Sequence, residues 1–350
     1  VAIKDYANTF DTNNVTLVQN GSDKIGGSTV NSTLTTEGIA VTLVYVDATQ
    51  GWLVTDSGLQ SEAPGAQYVT ATGGTITCSG DYKIHTFTGP GTFAVSCAGN
   101  ASGSNTVDYL VVAGGGGGGA SVPGYYAGGG GGAGGFRESV PSPAAWTASP
   151  IANPGNARPV TATSFPITVG GGGAGGAGPG SCSGVQGSTS IFSDISSAGG
   201  GYGGKTTGVP GNGVAGGPGG SGGGGGAKFA PGANVGGTGN TPVVSPAQGF
   251  NGGNASTNTS GVGGGGGGAL GAGVTGTCQP YGQAGGPGAT TSISGSSLTK
   301  AVGGATGNQP GGTPTTAANS GTGGQSGGQC ASSGAAGGSG IVIIRYKFQN

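Results

Sequence analysis

Residues 107–119 read VDYLVVAGGGGGG, an apolar strand signal that runs without a break into six consecutive glycines. The β-branched and aromatic residues at its start favour an extended chain. The glycines carry no side chain and lose much backbone entropy when ordered. An α-helix is disfavoured by about 1 kcal/mol per glycine relative to alanine, so six in a row exclude it. The remaining regular conformation is the left-handed, three-residue extended helix, which rises about 3.1 Å per residue and makes no internal hydrogen bonds. Its backbone groups must find partners sideways. Without Cβ atoms such helices can approach closely on several sides and form a hexagonal bundle. A tract of six to eight residues would span about 20–25 Å.

The opposite expectation, a flexible linker, is what this composition usually means. Three features oppose it. Glycine tracts recur at 114–119, 128–135, 170–177, 198–204, 216–226 and 263–268. The separators carry apolar pieces that a solvated linker has no use for, such as Ile191-Phe192 with Ile195, Val243-Val244, and Ile293 with Leu298. The chain also ends in IVIIRY, whose backbone groups would invite aggregation unless paired. Phe165 to Val169 before Gly170, and Ile341 to Tyr346 after Gly340, repeat the strand-and-glycine grammar. Tyr109–Val112 and Ile341–Tyr346 are therefore expected side by side in one sheet. A weak internal repeat links Ser188–Ile191 leading to Ala198 with Thr290–Ile293 leading to Ala301.

Of the 92 glycines, 13 fall in residues 1–100, so a conventional N-terminal part joins a glycine-dominated one. In the former, VTLVQNGSDKIGG suggests a hairpin at Asn20-Gly21, and Val41 to Val46 is a strong strand. So few apolar side chains make a meagre core, which favours oligomerisation. Phe87, Phe93 and Val95 alternate with polar residues, suggesting a hairpin with Gly89-Pro90-Gly91 as its turn. Cys78 and Cys97 flank that segment, and both a bridge and free thiols are compatible with the spacing. The five cysteines form no metal-binding pattern. The expected fold is thus all-β modules followed by packed left-handed polyglycine helices bracketed by strands, with essentially no α-helix. The expected parts are a β module at 1–60, a linker at 61–70, a small β domain at 71–113, and a glycine-rich bundle at 114–350 closed by a strand at 341–347. The lack of an initiating Met suggests a processed or excerpted chain.

Two stretches carry a family resemblance. NGSDKIGG followed by STLTTEGIAVTLVYVDATQGWLV resembles a small β repeat of bacteriophage tail-fibre proteins, over about Val15 to Val54. VDYLVVAGGGGGG, SFPITVGGGGAGG, STSIFSDISSAGGG and GGSGIVIIRYK are similar to the glycine-rich domain that caps many phage tail fibres. More distantly, the architecture resembles the distal tail-fibre adhesins of T-even-type phages, in which polyglycine helices form a rigid core and the loops contact outer-membrane receptors. The resemblance implies a virion tail-fibre location, a host receptor of protein or polysaccharide, other tail proteins as partners, and a homotrimer.

Other functions have weak support. Gly199 to Thr206, GGGYGGKT, formally matches the phosphate-cradling P-loop. However, TTGVPGNG follows where a helix should begin, and glycine density makes chance matches abundant. Residues after 140 hold one acidic group, Asp194, and no histidine, so paired-carboxylate and Ser-His-Asp chemistry cannot be assembled there. His85 reads as a strand residue rather than a base. Without clustered Lys and Arg there is no nucleic-acid surface, and without an apolar run of 18 residues no membrane insertion is expected. No enzyme activity, cofactor or metal is expected. Candidate receptor contacts are aromatic and Arg residues in segments that interrupt the tracts: Tyr125, Tyr126, Trp146, Arg158, Phe229, Phe250 and Tyr281. Each has an alternative as a residue covering a bundle edge. A non-viral extracellular filament or matrix protein is the main alternative function.

Overall fold

The computed structural model describes residues 1–59, 66–122, 127–178, 182–206, 213–227, 234–256, 262–277, 282–307, 317–328 and 333–349. Among these residues there are strands and extended segments but no helix. The chain forms two compact units, one of Val1–Gln67 with Asn100–Gly103 and one of Tyr68–Gly99 with Ser104–Asn350. Residues 71–113, expected as a separate small domain, are divided: 71–99 and 104–113 are part of the glycine-rich unit and Asn100–Gly103 belongs to the other. Their strands are the framework from which the tracts grow.

That framework is two sheets packed face to face. One has the strand order Asn153–Pro154, Phe136–Val140, Thr106–Val112, Ile341–Lys347, Tyr82–Phe87, Thr75–Ser79. The other runs Ile195–Ser197, Ser190–Phe192, Ser164–Thr168, Gly91–Ala98, Val69–Thr72. The expected pairing of the two glycine-bracketing strands is present: Thr106–Val112 lies antiparallel to Ile341–Lys347, with Leu110 opposite Ile343. Both strands are apolar on alternate sides because both faces are covered. Val107, Tyr109, Val111, Val342, Ile344 and Tyr346 meet Phe93, Ile167 and Phe192 of the second sheet. Leu110, Val112, Ile341 and Ile343 pack on the other face with Ile84, Phe136 and Ile293.

The segment around Gly89-Pro90-Gly91 is not a hairpin. Tyr82–Phe87 and Gly91–Ala98 belong to different sheets, so the turn is a corner that lets Phe87 and Phe93 enter the shared core from opposite sides. Cys78 and Cys97 accordingly sit in different sheets, and both are free thiols.

Beyond the sheets the tracts form a lattice with a period of three. From Gly114 to Ala120, successive N–H groups donate to Ser188, Gly338, Gly132, Val185, Ala335, Gly129 and Cys182, at 2.9–3.0 Å. Positions 114, 117 and 120 thus share one antiparallel neighbour, 115 and 118 a second, and 116 and 119 a third. The carbonyls of the same tract accept from three further segments, all parallel: Gly200, Gly203 and Thr206; Gly173 and Gly176; Gly324 and Gly327. Six neighbours around one chain is hexagonal packing of three-residue helices. Glycine is required in this six-neighbour tract because a Cβ on any of Gly114 to Gly119 would stand 1.9–2.2 Å from a neighbour's carbonyl oxygen. A Cβ on Gly117 would stand 1.9 Å from the Ala174 carbonyl oxygen, and one on Gly131 would stand 2.1 Å from that of Gly116.

The N-terminal unit is a three-stranded sheet of Ala2–Lys4, Ile39–Asp47 and Gly51–Leu59, with a short pair, Val15–Leu17 and Ser32–Leu34. Asn20-Gly21 is a turn, with Asp23 N–H donating to the Asn20 carbonyl at 3.0 Å. It does not close a two-residue hairpin, because the paired strands lie farther apart in the chain. The buried Asp5 carboxylate accepts the N–H groups of Thr9, Phe10 and Gly38 and so organises the first loop.

Candidate interaction surface

Chain direction follows from the lattice register. The tract that leaves strand Thr106–Val112 runs out to Ala120, and the one that enters Phe136–Val140 returns from Ala127. The out-and-back pattern recurs. Ala120 N–H meets the Cys182 carbonyl, Thr206 N–H meets Ala120, Gly263 N–H meets Ala127, and Ser256 N–H meets Val262. Gly226 meets Val214, Gly276 meets Asn254, Thr306 meets Gln283 and Gly334 meets Gly176. All these tract ends therefore lie at the end of the lattice opposite the sheets. By sequence, the joins between them contain Tyr125, Tyr126, Phe229 and Tyr281. These four candidates lie outside the described residues, but the residues flanking them converge on that one end.

The other three candidates are placed elsewhere. Trp146 is half-buried against the core on the outer face of the first sheet. Its ring lies 4.4 Å from the Arg345 guanidinium and edge-to-face with the Tyr82 ring, which is itself 4.5 Å from the same cation. Arg345 Nη1 also donates to the Ile293 carbonyl at 3.0 Å. Trp146 is thus a packing residue that helps to bury a cation, the covering role that the sequence left open beside receptor contact. Arg158 sits on a two-residue strand paired with Thr106-Val107 and binds Asp194 at 2.8 Å, the one ion pair among the described residues. Phe250 has both backbone groups in the lattice, N–H to Gly268 and carbonyl from Gly222, and its ring is 40 % exposed. Among the described candidates it alone offers an apolar ring to solvent without a cation or ion pair to hold it.

A glycine-rich domain family matches residues 85–347, about three quarters of the chain. The chain belongs to the glycine-rich domain family. The match starts in strand Tyr82–Phe87 and ends in its neighbour Ile341–Lys347, so the glycine-rich domain comprises the sheets as well as the lattice they anchor. No curated protein matches the chain.

The ionisable groups buried in the glycine-rich domain are tied into its framework. Asp108 stands opposite Arg345 in the strand register and accepts the Ser139 hydroxyl at 2.7 Å. Burial pushes its carboxyl up to about 6, and Glu138 adds to the rise, while Ser139 and Arg345 oppose it. Glu138 accepts the Ser149 N–H at 3.0 Å and the Thr291 hydroxyl. The cavity beside it is about 10 Å³, room for about one water molecule rather than a substrate. His85 is fully enclosed, with Nδ1 2.7 Å from the Gly73 carbonyl and Nε2 3.0 Å from the Tyr346 hydroxyl. The first contact requires Nδ1–H, so Nε2 accepts from the tyrosine. Burial holds this imidazole below its ordinary value and pushes the Tyr346 hydroxyl up to about 12. Both groups stay neutral in the core.

The P-loop-like stretch cradles nothing. Its amides are engaged in the lattice: Gly200 to Gly114, Gly201 to Ser221, Gly203 to Gly117, Gly204 to Gly224 and Thr206 to Ala120. Among the described residues, no three His, Cys, Asp or Glu side chains are placed to share a metal ion. Sequence reasoning missed the cluster of Tyr82 and Trp146 around the Arg345 guanidinium. A signal existed, since Asp108 and Arg345 are opposite charges set in the two most apolar strands.

Proposed function

We propose that the chain is a structural and receptor-binding subunit of a phage tail fibre, with the glycine-rich domain as a rigid scaffold and the joins at its far end as the contact with the host surface. The observation that supports this reading is the convergence of the tract ends on one end of a lattice that the sheets hold at the other. Recognition loops on a rigid scaffold are the common arrangement for binding surfaces. The joins also hold Tyr125, Tyr126, Phe229 and Tyr281, the residue types that anchor interfaces. In this reading the partners are a host-surface protein or polysaccharide, other tail proteins and two further copies of the chain, and the place of action is the virion.

Adsorption tests it. The purified chain should bind one or a few strains in a bacterial panel and block phage infection of those same strains. Alanine at Tyr125, Tyr126, Phe229 and Tyr281 together should lower binding by at least about tenfold with an unchanged melting temperature, each anchor contributing more than about 1 kcal/mol. Binding to no strain, or self-assembly into filaments without cell binding, would favour the extracellular matrix reading instead.

A further inference from the structure

The N-terminal unit contains a cavity of about 530 Å³, within the range of small-molecule sites, roughly 300–1,000 Å³. Its apolar wall is made by Ile3, Leu17, Ile25, Leu43 and Trp52. The wall is fixed from both sides. Loop 24–28 is laced to the hairpin by Trp52 N–H to the Lys24 carbonyl, Gly26 N–H to Trp52 and Gly27 N–H to Gln50, all at 2.8 Å. The lacing needs Gly51, which has φ +70° and lies where a Cβ would be 1.9 Å from the Lys24 oxygen. Tyr45 packs edge-on to Trp52, with ring centres 5.6 Å apart. An aromatic ring held this way loses little freedom when a ligand lies against it.

The polar lining is Thr16, Gln19, Asn20 and Asp23. The side chains of Thr16, Asn20 and Asp23 make no hydrogen bond or ion pair with another described residue, while the Gln19 amide donates to the Thr29 carbonyl and its Oε1 is buried. No Lys, Arg or His side chain lines the cavity, but the Val1 ammonium does, donating to the Leu43 carbonyl at 2.7 Å. One carboxylate and one ammonium leave the lining without net charge, which suits a neutral ligand. The Asn20 amide, the Thr16 hydroxyl and the Asp23 carboxylate are a hydrogen-bonding set for a ligand rich in hydroxyls. An indole beside them suits a ligand with an apolar face. A pyranose ring has both, C–H groups on its faces and hydroxyls around its rim.

We propose that this cavity binds a neutral saccharide, with Trp52 under the ring and Asp23, Asn20 and Thr16 on its hydroxyls. The site is distinct from the joins of the glycine-rich domain and does not depend on the fibre reading.

The chain has two tryptophans, so Trp146→Phe in the full chain leaves Trp52 as the sole indole, excited selectively at the red edge where tyrosine does not absorb. Glucose, galactose, N-acetylglucosamine and their β-1,4-linked trisaccharides are titrated to about 10 mM, ten times a weak 1 mM dissociation constant. At least one should give a saturable blue shift, and Asp23→Asn should weaken it about fivefold or more. Glucuronate should bind more weakly than glucose to the wild-type site, and Asp23→Asn should close that gap. Calorimetry on Trp52→Phe, which keeps an aromatic ring, should show reduced affinity in a folded protein. The proposal fails if no saccharide saturates the signal, if Asp23→Asn leaves the affinity unchanged, or if choline saturates the signal where the sugars do not. The titration uses no host cell, so its failure is separable from failure of adsorption.

Discussion

An added methyl group measures how closely the tracts approach. At Gly131 it would meet the carbonyl of Gly116 at 2.1 Å, and backbone on both sides leaves nothing that can swing away. At Gly171, in the same lattice, it would meet nothing within 4 Å. Gly131→Ala should therefore destabilise the protein by about 3 kcal/mol or more, the upper end of overpacking costs. Gly171→Ala should be neutral or slightly stabilising, because alanine restricts the unfolded chain. Denaturant melts of the two variants check the contrast, and equal stabilities would contradict the packing. Asp108 gives a pH-dependent counterpart. Its folded-state value, about 6 against an ordinary 3.8, means that the folded protein binds a proton more tightly than the unfolded chain. The site is therefore least unfavourable to folding below about pH 4, and stability is lost as pH rises through 6. Asp108→Asn, which keeps an acceptor for the Ser139 hydroxyl, should raise stability at pH 7–8 by up to about 3 kcal/mol, from about two pKa units at 1.36 kcal/mol each. It should give little at pH 4. Melting temperatures of both proteins across that range test the sign.

Strands and tracts differ in how much of themselves they show in sequence. The pairing of Thr106–Val112 with Ile341–Lys347 was legible because an apolar run needs cover on both faces and only these two bracket the glycines. The number of covered faces was also legible in principle, from glycine phase. Gly184 and Gly187, three apart, turn one row inward, and Gly334, Gly337 and Gly340 do the same. Tract 170–177 turns two rows inward and leaves Gly171, Ala174 and Ala177 exposed. The corner at Gly89–Gly91 was not legible, because a hairpin and a sheet-to-sheet crossing share turn residues and alternation. Nor was the role of Trp146, whose partner Arg345 lies on a distant strand. The convergence of the tract ends depended on tract direction, which glycine carries no mark of. Since Ile341–Lys347 pairs with Tyr82–Phe87 as well as Thr106–Val112, removing residues 341–350 should abolish cooperative unfolding of the glycine-rich domain, and an unchanged melting curve would refute that. Hydrogen exchange should show slow amides from Gly114 to Ala120, where every N–H has a lattice acceptor. Trp146→Ala should cost about 2 kcal/mol, through a lost cation–π contact and packing on a half-buried site.

On the scale of the whole molecule the two units differ in how they are stabilised. The glycine-rich domain has two apolar clusters and a hydrogen-bonded lattice. The N-terminal unit has Val41 and Leu43 as its buried apolar side chains among the described residues. The hairpin that carries them is apolar on alternate sides. Val44 and Val46, facing away from Leu43, are 46 % and 54 % exposed. A strand apolar on both sides usually has both sides covered, and a sheet of this size has little margin alone. Copies of the chain pairing through the Val44–Val46 side would supply the missing cover, and the trimer proposed for the fibre does so symmetrically. The wall of the saccharide cavity uses the Leu43 side, so assembly and ligand binding need not compete. Sedimentation of the full chain at micromolar concentration should therefore give a trimer. Val44→Asp with Val46→Asp should shift it to monomer and melt the N-terminal unit at lower temperature, while the glycine-rich domain keeps its own transition. A monodisperse wild-type monomer, or a trimer indifferent to both charges, would place the assembly surface elsewhere or remove it.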